Sequence, residues 1–141
     1  MIERIEKHFS QHGFGLWAIE IQESGELAGF TGIHYPSFEA HFTPCVEIGW
    51  RLANAFWGRG FATEAARAAL AYGFLQANLL EIVSFTVPAN TRSISVMEKI
   101  GMTRSLQDDF DHPRVPEGSK LRHHLLYRIS RGEFMSKQEL E

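Results

Sequence analysis

Two glycines, Gly58 and Gly60, stand between an alternating apolar run that ends at Leu52 and a long alanine-rich stretch that begins at Phe61. A glycine pair in that position lets a strand end, the backbone turn sharply and a helix start within a few residues. It also makes a cradle for an anion. The first N–H groups of a helix have no partner inside it, and the helix dipole places partial positive charge at the same end. A diphosphate can be held there without a lysine. Spacing separates the loops that work this way. The nucleotide-hydrolase loop needs a Gly-Lys pair, and none occurs in the chain. The dinucleotide fingerprint fits poorly, because Gly58-Arg59-Gly60-Phe61-Ala62-Thr63 ends on Thr and the acidic residue that follows, Glu81, opens the next apolar run rather than closing it.

The segments around the loop read as an α/β order. Ile2, Ile5 and Phe9 recur at helical spacing among charged residues, which predicts an amphipathic helix stopped at Gly13. Leu16 to Gln22 and Leu27 to His34 read as a hairpin across Glu23-Ser24-Gly25-Glu26. In Cys45 to Leu52, Val46, Ile48, Trp50 and Leu52 share one face, and Cys45, Glu47, Gly49 and Arg51 share the other. Phe61 to Gln76 is helical, with Ala65, Ala69 and Gly73 forming a small-residue stripe that lets it lie close on a sheet. A strand from Glu81 to Val87 follows, then Asn90 as a helix N-cap with Gly101 at the far end. Residues 107–118 read as irregular, His123 to Ile129 as a last strand, and the residues from Arg131 as a charged tail.

At 141 residues the chain fits one domain, residues 1–141. A net charge of -3 provides no basic footprint for nucleic acid. No apolar stretch reaches membrane-spanning length, Met1-Ile2-Glu3-Arg4 does not open a signal peptide, and the single cysteine, Cys45, agrees with a reducing compartment. The expected setting is cytoplasmic.

Gly60 and Ala62, with Trp57 in the leading place, match a third loop pattern, the pyrophosphate loop of the GNAT superfamily of N-acyltransferases. Three further segments arrive in that family's order. Glu47-Ile48-Gly49-Trp50-Arg51-Leu52, Asn90-Thr91-Arg92-Ser93 and Glu98-Lys99-Ile100-Gly101-Met102 resemble, with the loop, the successive signatures of its Rim-type branch, relatives of ribosomal-protein N-terminal acetyltransferases. The resemblance covers roughly Trp17 to Ile129. It implies a mixed, mostly antiparallel central sheet with splayed central strands flanked by helices, acetyl-CoA as donor, no metal, and an amine acceptor, either a peptide N-terminus or a small molecule.

Carried over residue by residue, the resemblance implies that backbone groups of Trp50 and Leu52 pair with the pantetheine arm. Trp57, Gly58, Arg59, Gly60, Phe61, Ala62 and Thr63 form the pyrophosphate loop, and Asn90 and Ser93 contact the cofactor, with Met97 on the same helical line. A protonated amine must lose a proton before attack, and Glu47 on the polar strand face is the candidate base, acting through a water. Its alternative is a strand carboxylate paired with Arg51. The N–H of Ile48, or of a neighbour freed where the strands splay, is the candidate oxyanion donor.

Three departures from the family stand out. Met97 occupies the place of the tyrosine that commonly protonates the departing thiolate, and Ser93 and Tyr127 are the alternative sources. Trp57 replaces Gln or Arg. The strand and helix with which the family usually opens are missing ahead of Ile2, which reads as a fragment, an internal start or a chain covered by a partner, such as a second copy in a homodimer. Among weaker constellations, His8 and His12 lack a third zinc ligand, and Asp108, Asp109, Asp111 and His112 read as a surface loop bordering the acceptor site rather than a metal site. His123 and His124 face opposite sides of their strand. Two other functions stay open: acetylation of a small amine, and a catalytically weak acyl-CoA-binding module.

Overall fold

The structure, a computed structural model, describes residues 2–139, with side chains described for residues 6–138. It holds four α-helices and seven strands among the described residues, in a mixed arrangement in which antiparallel pairing dominates. The chain divides into two compact units, Met1–His34 with Ile48–Asn78, and Tyr35–Glu47 with Leu79–Glu141.

In the first unit, α1 (Ile2–His12) ends at Gly13, whose φ of 77° is the left-handed conformation that glycine adopts without penalty. The side chains of Ile2 and Ile5, on which the amphipathic expectation partly rests, lie outside the described residues. Strands β1 (Leu16–Glu20) and β2 (Leu27–His34) form the expected antiparallel hairpin, with an irregularity between Ile19 and Glu20. Strand β3 (Glu47–Leu52) continues the sheet beyond β2. Both neighbours approach β2 closely: a Cβ built on Gly29 would lie 1.9 Å from the carbonyl oxygen of Arg51 in β3, and one on Gly32 would lie 2.1 Å from the carbonyl oxygen of Gly15, just ahead of β1. Helix α2 (Phe61–Leu75) rests on β2 and buries Ala66, Ala69, Leu70, Gly73 and Phe74, the small-and-large pattern its sequence carries.

In the second unit, β4 (Glu81–Thr86) pairs antiparallel with β7 (His123–Ser130) over its whole length, from Glu81 opposite Ser130 to Thr86 opposite Leu125. Glu47, the first residue of β3, pairs in parallel with Val83, and the N–H of Val83 donates to the carbonyl of Val46 at 2.9 Å. Helix α3 (Thr91–Lys99) packs on β4.

The stretch read as irregular contains one short strand, β6 (Phe110–Asp111), and another, β5 (Thr103–Arg104), lies just before it; both pair with β7. The residues read as a charged tail are a helix, α4 (Arg131–Glu139). A reciprocal capping box starts it: the Glu133 N–H donates to Ser130 Oγ at 3.1 Å, and the Ser130 N–H donates to Glu133 Oε1 at 3.0 Å. Phe134, 7% exposed, buries one side of that helix.

Candidate functional site

Of the residues singled out, Ile48, Trp50, Leu52 and Trp57 to Thr63 belong to the first unit. Ile48 is fully buried and fixes β3, whose Gly49 carbonyl accepts the hydroxyl of Thr31 at 2.9 Å. Beyond Leu52 the chain makes one 3-10 turn, Asn54–Phe56, and the Trp57 indole N–H folds back to donate to the Leu52 carbonyl at 3.0 Å. That bond braces the end of the strand against the start of the loop. Gly58 and Gly60 both take positive φ, 75° and 79°. Gly60 is the N-cap of α2 and offers no side-chain cap.

The first bond of the helix runs from the Glu64 N–H to the Gly60 carbonyl at 3.0 Å, so the N–H groups of Phe61, Ala62 and Thr63 precede the intrahelical ladder. A Cβ on Gly58 or Gly60 would meet nothing within 4 Å, which shows the loop mouth to be open. The Arg59 guanidinium lies 4.8 Å above the Phe61 ring, adding positive charge beside those donors. The chemistry on offer is capture of an anion by backbone N–H groups at a dipole terminus.

The same unit holds a cleft of about 810 Å³ between α2 and β1. It is lined by every residue from Trp17 to Glu23 in succession, so the edge of the strand forms its wall, rather than one face. Of the residues expected to bind a cofactor, Arg59 and Phe61 reach it.

Glu47, Asn90, Ser93 and Met97 belong to the second unit. Glu47 is half-buried beside Val83. Asn90 Oδ1 accepts the Ser93 N–H at 3.2 Å and so caps α3, and Ser93 is half-buried at its first turn. Met97 is 1% exposed and packs in the interior. Tyr127 is also buried, and burial, with the Glu98 carboxylate nearby, raises its pKa above the usual phenol value. Cys45, half-buried, has its thiol pushed up to about 11 by burial and then by the neighbouring Glu47.

The acidic run 108–111 is tied down by arginines. Asp109 pairs with Arg104, which holds its carboxyl below the usual range, and Asp108 Oδ2 accepts from Arg128 Nε at 3.1 Å. No group of three or more His, Cys, Asp or Glu fit to hold a metal occurs among the described residues. In the first unit, the rings of His8 and His12 lie 4.5 Å apart, and His8 Nδ1 lies 2.8 Å from the Phe14 carbonyl oxygen. Burial is the main cause of the lowered pKa of His8, which makes it more than a solvated surface residue.

Sequence reasoning missed one assembly. Phe38, Phe85 and Phe110 meet His112 and His124 in the second unit, with His112 4.4 Å from Phe38 and 5.0 Å from His124 between ring centroids. Phe42 packs among them, 4.7 Å from Phe110. These residues come from the 35–46 segment, β4, β6 with the residue that follows it, and β7. The only signal in the sequence was the alternation that sets His124 against His123.

Comparison with known proteins gives a consistent result. The family model described as "Acetyltransferase (GNAT) domain" matches residues 1–103. The uncharacterized protein YkkB of Bacillus subtilis is 41% identical over 91 residues, covering 64% of this chain and 52% of that protein. The FsC-acetyl coenzyme A-N(2)-transacetylase of Aspergillus fumigatus is 31% identical over 135 residues, covering 90% of this chain and 54% of that protein. The chain thus spans about half the length of the curated relatives it matches. Among solved structures, an acetyltransferase from Agrobacterium tumefaciens aligns with a TM-score of 0.66 at 31% identity, over 90% of this chain and 69% of that one. No helix among the described residues is long and apolar enough to cross a membrane.

Proposed function

This chain belongs to the GNAT acetyltransferase family, and we propose that it transfers the acetyl group of acetyl-CoA to a primary amine, as a Rim-type enzyme of the cytoplasm. The observation that carries the reading is the open glycine mouth of α2, where the N–H groups of Phe61, Ala62 and Thr63 are unspent and Arg59 stands beside them. That mouth suits the pyrophosphate of CoA. The order of the Glu47, Gly60, Asn90 and Gly101 segments supports placement in the Rim-type branch.

In this reading Glu47 takes a proton from the ammonium through a water, and the freed amine attacks the thioester carbonyl. The N–H of Ile48 stabilises the oxyanion, and the C–S bond breaks on collapse. The thiolate leaves without a strong acid, because an alkyl thiol has a pKa of about 8.5, and solvent returns its proton. Acetyl-CoA incubated with a panel of peptides and small amines, with free thiol as readout, tests the proposal. Release that depends on both protein and amine supports it; a folded protein that releases thiol with no amine overturns it.

A further inference from the structure

Strand β1 is the terminal strand of its sheet and is paired on one side, with β2. The bond from the Ile33 N–H to the Gly15 carbonyl, 3.2 Å long, fixes the phase of that pairing. Gly15 stands opposite Ile33, so by antiparallel alternation Trp17 and Ile19 also turn their N–H and C=O groups toward β2. Past the irregularity that follows Ile19, Ile21 does the same, its N–H donating to the Glu26 carbonyl at 2.9 Å. The N–H and C=O groups of Leu16, Ala18 and Glu20 therefore point away from the sheet. Among the described residues no hydrogen bond reaches them.

That edge borders open space. It forms one wall of the cleft of about 810 Å³, and on the other wall α2 presents Ala65 and Ala68, whose small side chains leave the room. Trp17 meets Tyr72 of α2 with ring centroids 5.1 Å apart, so Trp17 and Ile19 face the helix, and Leu16, Ala18 and Glu20 face away from it. A free edge of this kind accepts a further extended segment as an added strand unless proline or lysine blunts it, and β1 has neither. In the added strand, residues opposite Leu16, Ala18 and Glu20 share their face, and the residues between lie over the apolar floor of α2. Charge fixes the rest. Glu20, Glu23 and Glu64 line the cleft against one cation, Arg59. Solvated ion pairs contribute little each, so backbone pairing supplies the affinity and the carboxylates choose the sign of the partner. A second copy of this chain would bring the same carboxylates to the same edge.

We infer that the free edge of β1 docks an extended peptide segment of a partner protein, in which apolar residues facing α2 alternate with basic residues beside Glu20. The segment adds to the sheet through the outward N–H and C=O groups of Leu16, Ala18 and Glu20. Five residues of strand, about 17 Å, make the contact.

The test titrates the protein with an end-capped peptide of alternating arginine and valine, by calorimetry at low ionic strength, and follows amide hydrogen exchange in β1. The amides of Leu16, Ala18 and Glu20 should exchange fast in the free protein and slow by about tenfold or more when the peptide is bound. Methylating the arginine backbone nitrogens, which face β1, should weaken binding about tenfold or more; methylating the valine nitrogens, which face away, should not. Glutamate in place of arginine should weaken it as much, and Glu20→Arg should remove the preference between the two peptides. Ala18→Pro deletes one outward N–H at an edge position and should raise Kd about fivefold. If that variant does not fold, the methylated peptides and Glu20→Arg decide the matter. No binding of the arginine peptide at millimolar concentration, equal binding of its two methylated forms, or equal binding of the arginine and glutamate peptides would overturn the inference. So would sedimentation showing a dimer that Ala18→Pro dissociates, because a second copy would then hold the edge.

Discussion

Gly60 is where the proposed donor site is most open to attack by a single substitution. Its φ of 79° lies in the left-handed region, and a Cβ there would meet no atom within 4 Å. The protein itself would therefore not clash with a side chain, and the cost to folding is the backbone conformation alone. That is about 1–2 kcal/mol for an ordinary residue, with Asn near the lower end because it adopts the left-handed region more readily. At about 4 °C per kcal/mol for a chain of this size, Gly60→Asn should lower Tm by about 4 °C. The new side chain would instead stand in the mouth where an anion must approach the N–H groups of Phe61 to Thr63. Losing one hydrogen bond to a charged group, worth about 1.5–3 kcal/mol, raises Kd about 10- to 150-fold. Calorimetry should show this loss for CoA, while pantetheine, which has no pyrophosphate, keeps its wild-type affinity. Unchanged CoA affinity in folded Gly60→Asn would refute the assignment of the loop, as would equal affinity of the wild type for CoA and pantetheine.

Glu47→Gln should lower turnover by about 10²–10⁴ at neutral pH, with little change in acetyl-CoA affinity, and the deficit should shrink at high pH, where the acceptor is already neutral; wild-type turnover in that variant would make Glu47 structural. The same substitution removes a negative charge that helps hold the Cys45 thiol at about 11, so Cys45 should alkylate faster in Glu47→Gln than in wild type. In the wild type, iodoacetamide at pH 8 should modify Cys45 about two orders of magnitude more slowly in the native than in the unfolded chain, and equal rates would contradict its burial. Because the folded thiol holds its proton more tightly than the unfolded one, its contribution to stability is complete below pH 9.0 and is lost between there and about 11, which a pH series of denaturant midpoints can follow. Met97→Tyr, which by family analogy would restore a proton donor, has to fit a larger side chain where Met97 is 1% exposed, so it should cost about 1–3 kcal/mol of stability and leave turnover unchanged or lower; a faster folded variant would reinstate a role for an acid at that position.

What could be read in advance was whatever a short window of sequence encodes. Gly58 and Gly60 announced a positive-φ turn before a helix, Asn90 announced a cap, and the alternation from Val46 to Leu52 announced a strand. Helix α4 was missed because Gly132 and the charges around it masked its start, although Ser130 and Glu133 carried the capping spacing and Phe134 the buried anchor. Strands β5 and β6, two residues each, exist because β7 pairs with them, and no local pattern foretells pairing of that kind. The aromatic and imidazole assembly was hidden for the same reason. Residues 38, 85, 110, 112 and 124 have no common spacing; the register of β4, β6 and β7 aligns Phe85, Phe110 and His124, and the segments holding Phe38 and His112 fold onto them.

The close approach at Gly29 and Gly32 has a bearing on how a mutational library of this chain should be interpreted. Any side chain at these two positions collides with the main chain of a neighbouring segment, with the Arg51 carbonyl in one case and the Gly15 carbonyl in the other. Clones altered there will drop out of a selection for activity as completely as clones altered at a reacting group. A companion selection for soluble expression sorts them: Gly29 and Gly32 should be depleted in both screens, whereas Gly58, whose missing Cβ faces open space, should tolerate Asn for expression and be depleted for activity alone.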